Sequence, residues 1–492
     1  MSRLALLLCP LVLGAGLVSS EALREGAGVV LPLEKRGAPL PQRLSAAQTA
    51  SLNALLSRAP ARAARVGVLV ADAESGTALY ARQPDAAFTP ASNMKLLSMA
   101  ALLEALGPDY WYSTTVTRPL NLPPPLPKTS VQKTPGKRGE AAASTLPVST
   151  PEHLTLVGLG DPSLEPSSGE HSLARLARQV YARGIRRVGD LWLDARLIGA
   201  SPGHLQGGQS IPGWTLPLVE KAVTGLSLND PSVGEGLQTT ARPDAAAALL
   251  GVGEQFRAAL RQAGVQVTGG VKLAPLSAGP EEGVATTRSA PLAQLVHAAL
   301  KRSDNVWAEQ LYARLGVQTQ TPVWRPASLD VARERMRALL GRAGVSGTAL
   351  TALRLQDGSG LSAQDRLTPA VLVRLLRYLY LRPLTASGSS VAPQTAYQRR
   401  QNLLIEALPR AGTGTATPAA RELGGTLATR MAGLDVRAKT GTLPGVSALS
   451  GYLRTRSGRV LAFSVLMDGY AGPASELRRV QDELLRRLAQ DD

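Results

Sequence analysis

Ser92 and Lys95 stand three residues apart in Thr89-Pro90-Ala91-Ser92-Asn93-Met94-Lys95-Leu96-Leu97, at the head of a run with helical apolar spacing. On a helix an i, i+3 pair projects from one face, so the hydroxyl and the amine can touch. A serine hydroxyl is a weak nucleophile until a neighbouring base takes its proton, and a desolvated lysine with a lowered pKa can be that base. Backbone N–H groups at a helix N-terminus offer a place to hold an oxyanion. The pair is short and weak by itself, and what it suits is nucleophilic chemistry through the serine. The same spacing recurs at Ser130-Val131-Gln132-Lys133, and since the chain has only nine lysines the repeat needs an explanation. It falls in a proline-rich stretch without helical context and is read as chance.

Two further short runs carry suitable side chains. Ser303-Asp304-Asn305 falls in a turn between two helical patterns, and Lys439-Thr440-Gly441 on a strand beside a C-terminal hairpin. Singly these are common: a Ser-x-Asn also occurs at Ser51 to Asn53 and at Ser227 to Asn229, where ordinary helix and loop are expected. A rival serine site, Gly199-Ala200-Ser201-Pro202-Gly203, matches the nucleophile-elbow pattern. No helix follows it and His204 is too close in sequence to be a spaced partner, so a glycine-proline loop is the better reading. Asp357-Gly358-Ser359-Gly360-Leu361-Ser362 lacks the Lys-[Ser/Thr] of a phosphate loop and is read as a segment bordering a cleft.

Composition removes other chemistries. Arg3, the apolar run Leu4 to Val18 and the small residues Val18-Ser19-Ser20 read as a cleaved export leader over residues 1–20. The one cysteine, Cys9, lies inside it, so the mature chain is expected to have no disulfide, thiol nucleophile or cysteine metal site. His153, His171, His204 and His297 show no ligand spacing, so neither a metal nor a cofactor is expected. The formal charge of +17 comes from scattered arginines with few aromatics and no nucleic-acid-binding motif. It suits anionic wall polymers or a membrane surface as neighbours, and otherwise reflects arginine-rich composition.

Stepping along the chain, a helix is expected from Ser45 to Leu56, then strands at 65–71 and 77–82 around the turn Asp72 to Gly76. The Ser92 helix runs to about Leu106. Low-complexity sequence at 120–150 precedes a strand at 154–157, a helix at 173–183 and a strand at 190–194, with short strands and turns to about Val271. Helical spacing returns at 291–300, 329–343 and 368–380. Strands at 436–440, 447–454 and 460–467 precede a final helix at 474–489 whose Leu477, Val480, Leu484 and Leu488 share a face. An early strand pair and three late strands suggest one sheet built from both ends of the chain, with the middle inserted into it.

Taken together, Ser92-x-x-Lys95, Ser303-Asp304-Asn305 and Lys439-Thr440-Gly441, in that order and context, form the set found in class A β-lactamases and penicillin-binding proteins. The chain resembles the class C low-molecular-weight penicillin-binding proteins that act as D-alanyl-D-alanine carboxypeptidases and endopeptidases. The 211 residues between Ser92 and Ser303 match the large insertion of that group. Leu159-Gly160-Asp161-Pro162, Gly189-Asp190-Leu191, Pro212-Gly213-Trp214, Leu226-Ser227-Leu228-Asn229 and Asp357 to Ser362 also match. The stretch 120–150 departs from the pattern as an extra loop.

The resemblance implies an α+β, β-lactamase/transpeptidase-like fold with a large inserted α/β domain. Its expected divisions are the leader 1–20, a first part 21–112, the insertion 113–285 and a second part 286–492. It implies an exported enzyme of the periplasm or cell envelope that acts on peptidoglycan stem peptides and cross-links and is acylated by β-lactams. Ser92 would be the nucleophile and Lys95 its base; Ser303 would relay a proton to the leaving amine, and Asn305 would hold Lys95 and the substrate amide. Lys439, Thr440 and Thr442 would bind the terminal carboxylate, Gly441 would leave room for the acyl chain, and the N–H groups of Ser92 and Thr442 would form the oxyanion hole. Two alternatives stand beside it: a serine β-lactamase, which lacks here the Glu-x-x-Leu-Asn expected after Ser303, and a non-catalytic wall-binding or β-lactam-sensing module.

Overall fold

A computed structural model describes residues 43–120, 153–195, 198, 223–229, 245–274, 281–317, 327–386, 388–412, 417, 422 and 424–490. The expected leader, nearly all of the 120–150 loop, the Gly199–Gly203 turn and the Pro212–Trp214 match lie outside these residues.

Helix α1 (Ala46–Leu56) starts at Ser45, whose hydroxyl accepts from Gln48 N while the Gln48 side chain accepts from Ser45 N, a reciprocal capping box. Strands β1 (Arg65–Asp72) and β2 (Ala78–Arg82) then form a hairpin. Asp72 makes the turn by accepting from Glu74 N and Ser75 N with one carboxylate oxygen. After the Ser92 segment comes α2 (Met94–Leu106), buried without interruption from Met94 to Leu103. Leu96, Leu97, Met99 and Leu102 are fully covered, each contributing roughly 1.5–3 kcal/mol of burial.

The middle of the chain builds its own sheet. It comprises β3 (Ser113–Pro119), β4 (His153–Val157), β6 (Asp190–Asp194), β8 (Val271–Leu273) and β9 (Glu281–Arg288), in the order β8-β6-β4-β3-β9. Strands β4, β6 and β8 run parallel, joined by α3 (Leu173–Ala182) and α4 (Ala245–Gln262), which bury Leu176, Val180, Phe256 and Leu260 against them. Two-residue strands β5 (Arg187–Val188) and β7 (Gln266–Val267) pair separately. The sequence reading of short strands and turns up to Val271 needs correction here, because α4 occupies eighteen of those residues. Strand β3 pairs with β9 from Ser113↔Arg288 onward, so the chain leaves and re-enters this sheet at adjacent positions. The expected return at 286 thus falls inside β9.

From there α5 (Leu292–Arg302), α6 (Asn305–Leu315), α7 (Leu329–Arg342) and the Pro369–Leu381 helix follow. The chain closes with β10 (Asp435–Leu443), β11 (Val446–Arg454), β12 (Val460–Asp468) and the Ala474–Ala489 helix. The order β10-β11-β12-β1-β2, antiparallel throughout, is the sheet built from both ends of the chain that the sequence suggests. One face, with Val66, Val68, Phe463 and Val465, packs on α1 and on Leu477, Leu484 and Leu488 of the last helix. The other, with Ala462, Leu466 and Tyr452, packs on α2 and the helices that follow the inserted sheet.

Candidate active site

Ser92 lies in a single 3-10 turn, Ala91–Asn93, immediately before α2. Ala91 has a φ of 45°, a region that a side-chain-bearing residue occupies only at a cost of about 1–3 kcal/mol. Its neighbours hold it there. Asn93 Nδ2 donates to Lys439 O at 3.0 Å, tying the turn to β10. Gly360, with φ 82°, approaches so closely that a Cβ on it would fall 1.9 Å from Ala91 O. A Cβ on Gly441 would lie 3.0 Å from Ser92 N and 2.9 Å from Pro90 O, so only glycine lets β10 pass this close to the serine.

The Lys95 side chain is fully buried, and its Nζ stands 3.0 Å from Ser92 Oγ. It donates to Asn305 Oδ1 at 2.6 Å and to Ser359 O at 2.8 Å. A neutral amine has two N–H groups and one lone pair. With the two acceptors taking the N–H groups, the lone pair is left for the Ser92 hydroxyl. Burial pushes the Lys95 amine down to about 8, although the charges of Asp357, Glu309 and Asp304 pull the other way.

Ser303 ends α5 in the left-handed region, φ 60°, and lifts its side chain out of the helix. Asp304 then caps α6, its carboxylate accepting from Trp307 N at 2.9 Å, which makes Asn305 the first residue of that helix. Lys439 Nζ, also fully buried, donates to Ser303 Oγ at 2.7 Å and to Thr440 O at 2.9 Å. Two serine–lysine pairs thus share one place, linked by the Asn93–Lys439 bond. Thr440 Oγ1 meets Thr426 Oγ1 at 2.7 Å, and Thr442 is exposed near the end of β10 on the same side of the strand.

The sequence reading did not single out Glu309, which is wholly buried beneath the Asp357–Ser362 segment, nor anticipate that the Ser359 carbonyl reaches Lys95. A histidine–aspartate pair in the inserted part, His171 Nε2 to Asp161 Oδ2 at 2.5 Å, also resembles a relay. Its third member, Thr287, is buried and donates its hydroxyl to Glu170 O, so it has no role as a nucleophile. Asp161 otherwise caps the Ser163 turn. Among the described residues no group of three or more His, Cys, Asp or Glu side chains is placed to hold a metal ion, and no helix is long and apolar enough to cross a membrane.

A buried amine aimed at a half-buried serine, with a second lysine–serine pair alongside, suits acyl transfer through a serine ester. Comparison with known proteins points the same way. The model of the D-Ala-D-Ala carboxypeptidase 3 (S13) family matches residues 48–122 and 229–490. A D-alanyl-D-alanine carboxypeptidase of Actinomadura sp. (strain R39) is 30% identical, over 89% of this chain and 84% of that one. A carboxypeptidase of Mycobacterium tuberculosis is 29% identical, over 85% of this chain and 79% of its own. In three dimensions the chain is similar to penicillin binding protein 4 from Haemophilus influenzae, with a TM-score of 0.59 at 19% identity, covering 89% of this chain and 99% of that one. The last comparison speaks to the fold, which is of the β-lactamase/transpeptidase type.

Proposed function

The chain belongs to the D-Ala-D-Ala carboxypeptidase 3 (S13) family, and from that membership we propose how its residues divide the reaction. It is a serine-type D-Ala-D-Ala peptidase of peptidoglycan. The observation that carries the assignment of roles is the 3.0 Å approach of Ser92 Oγ to the fully buried, desolvated Lys95 amine.

Ser92 Oγ attacks the carbonyl between the two terminal D-alanines while its proton passes to Lys95 Nζ. The N–H groups of Ser92 and Thr442 receive the oxyanion, a term worth roughly 3–4 kcal/mol per donor in other enzymes. As the C–N bond breaks, the leaving amine takes a proton through Ser303, whose hydroxyl Lys439 polarises at 2.7 Å. Water then attacks the ester and returns the enzyme. Asn305 keeps Lys95 oriented and receives the substrate amide. The positive charge of Lys439 draws the terminal carboxylate, with the hydroxyls of Thr440 and Thr442 completing its binding, and Gly441 leaves room for the acyl chain. A β-lactam enters the same chemistry as a covalent inhibitor.

The same ester serves whether the leaving amine is free D-alanine or the side chain of a cross-link, so trimming and cross-link cutting share one site. The substrate places the working enzyme outside the cytoplasm, in keeping with the leader expected over residues 1–20. A net charge of +17 favours peripheral association with anionic wall or membrane surfaces.

Intact-mass spectrometry with benzylpenicillin tests this assignment. One covalent adduct on the wild-type protein, absent from Ser92→Ala, is the expected result. A folded wild-type protein that gains no mass would overturn it, and an adduct lost within seconds would point to a β-lactamase instead.

A further inference from the structure

Glu309 is a fully buried carboxylate for which the mechanism above has no use. Its Oε1 accepts from Ser359 N at 2.6 Å and from Gly358 N at 3.0 Å, while its Oε2 is enclosed without a hydrogen-bond partner. Burying an ionisable group so completely is costly, and only hydrogen bonds or a paired charge offset that cost. The groups facing it are Lys95 from α2, Tyr312 from its own helix, Asp357 and Asp365 from the loop beside it, and Arg333 from α7 through Tyr312; Asp304, the cap of α6, acts on Lys95.

Two further contacts show what is held. The peptide gripped by Glu309 carries the Ser359 carbonyl that accepts from Lys95 Nζ, and Asn305, the other acceptor of Lys95, lies four residues earlier on α6. Residues four apart share a face of a helix. One face of α6 therefore sets both acceptors of the Lys95 amine, the first directly and the second through the loop. The loop is fixed from its other side by Asp357, which accepts from Gly360 N and Ser362 N, and by Ser98 Oγ, which donates to Gly358 O.

We propose that Glu309 is a positioning residue for the base Lys95: by gripping the Gly358 and Ser359 N–H groups it fixes the Ser359 carbonyl as an acceptor, which turns the amine lone pair toward Ser92. This rests on the assignment of Lys95 as base. Two accepted bonds do the work, so an isosteric neutral amide serves nearly as well as the carboxylate, whereas a methyl group does not. Burial and Asp357 push the Glu309 carboxyl up to about 8, and whatever negative charge it carries pulls Lys95 toward its protonated form.

The test is the rate of acylation by benzylpenicillin from pH 6 to 10 for the wild-type protein, E309A and E309Q, with urea unfolding of each. E309A, still folded at the assay temperature, is expected to reach a plateau rate about 100-fold lower, the scale of a 1 Å misplacement in an active site. E309Q is expected to keep the plateau rate within about threefold, a small change in transition-state stabilisation, with its acid limb moved to lower pH. E309A at the wild-type rate, or a folded E309Q as slow as E309A, would overturn the proposal. Should E309A not fold, a folded E309Q decides alone: a retained plateau supports the proposal, and a plateau lost by tenfold or more, about 1.4 kcal/mol, overturns it. A wild-type protein that forms no adduct on Ser92 overturns the assignment of Lys95 itself, which separates the two failures.

Discussion

Lys439 Nζ rests 2.7 Å from Ser303 Oγ although 136 residues separate them, and Lys439 lies in the buried stretch Val436–Lys439 of its strand. That distance makes the two side chains one unit. Removing Lys439 takes this donor from Ser303, and removing Ser303 takes from Lys439 one of its acceptors, Thr440 O remaining.

A double-mutant cycle reads this unit. Ser303→Ala and Lys439→Ala are each expected to slow acylation by about 100-fold or more, in the range of a lost proton-transfer group. Residues acting together are strongly non-additive, so the double variant should be no more than about threefold slower than the worse single one. Fully multiplicative losses would mean that the two act separately, with Lys439 serving the carboxylate and Ser303 the proton.

Lys95, as the proposed base, should set the pH dependence. The form that accepts a proton is the neutral amine, and burial favours that form by pushing the group down to about 8. Acylation should therefore rise with pH and level off above about 8. At pH 7 about one molecule in ten carries the free amine, so the rate there should be about a tenth of the plateau. Lys95→Arg, which cannot lose its proton, should abolish acylation. Stopped-flow acylation across pH 6 to 10 checks both; a flat profile would remove Lys95 as the titrating base.

The site was more legible in the sequence than the insertion that separates its parts. Serine, lysine and asparagine at fixed spacings, with a helix start, a helix–helix turn and a strand around them, announce chemistry that few other arrangements perform. Strand-like runs bounded by turn residues also located β1, β2 and β10 to β12. Helix α4 was missed because Gly251 and Gly253 and a run of alanines blur its apolar face, though Leu249, Phe256 and Leu260 bury at helical spacing. Glu309 was missed for a different reason. A glutamate beside Gln310 on a helix reads as solvated surface, and only the packing of the Gly358–Gly360 segment over α6 takes it from water. The same tertiary packing brings the Ser359 carbonyl, invisible to any side-chain motif, against Lys95.

Gly360 is where a small change should do most harm. Its φ of 82° costs an alanine about 1–2 kcal/mol, and the added Cβ meets Ala91 O at 1.9 Å. Backbone must move to admit it, and the nearest backbone carries Ser92. Gly360→Ala should lose more than about 2 kcal/mol in urea unfolding and about 100-fold in acylation. A variant of wild-type stability and rate would show that the Ala91 turn has room the structure does not give it.

Gln310 should separate stability from catalysis on the same helix. One residue after Glu309, it points about 100° around α6 from the face that serves Lys95. Its amide spans to the inserted part, where Oε1 accepts from Thr224 N at 3.3 Å and Nε2 donates to Thr224 O. Gln310 and Thr224 are both buried, so Gln310→Ala would leave a backbone N–H and C=O without partners, at about 1–3 kcal/mol for each orphaned group. The variant should unfold at lower urea while its acylation by benzylpenicillin stays within about threefold, because none of the lost bonds touches Lys95, Asn305 or the Ser359 carbonyl. A parallel fall in acylation would show the opposite, that α6 transmits the seating of the inserted part to the base through its own rotation.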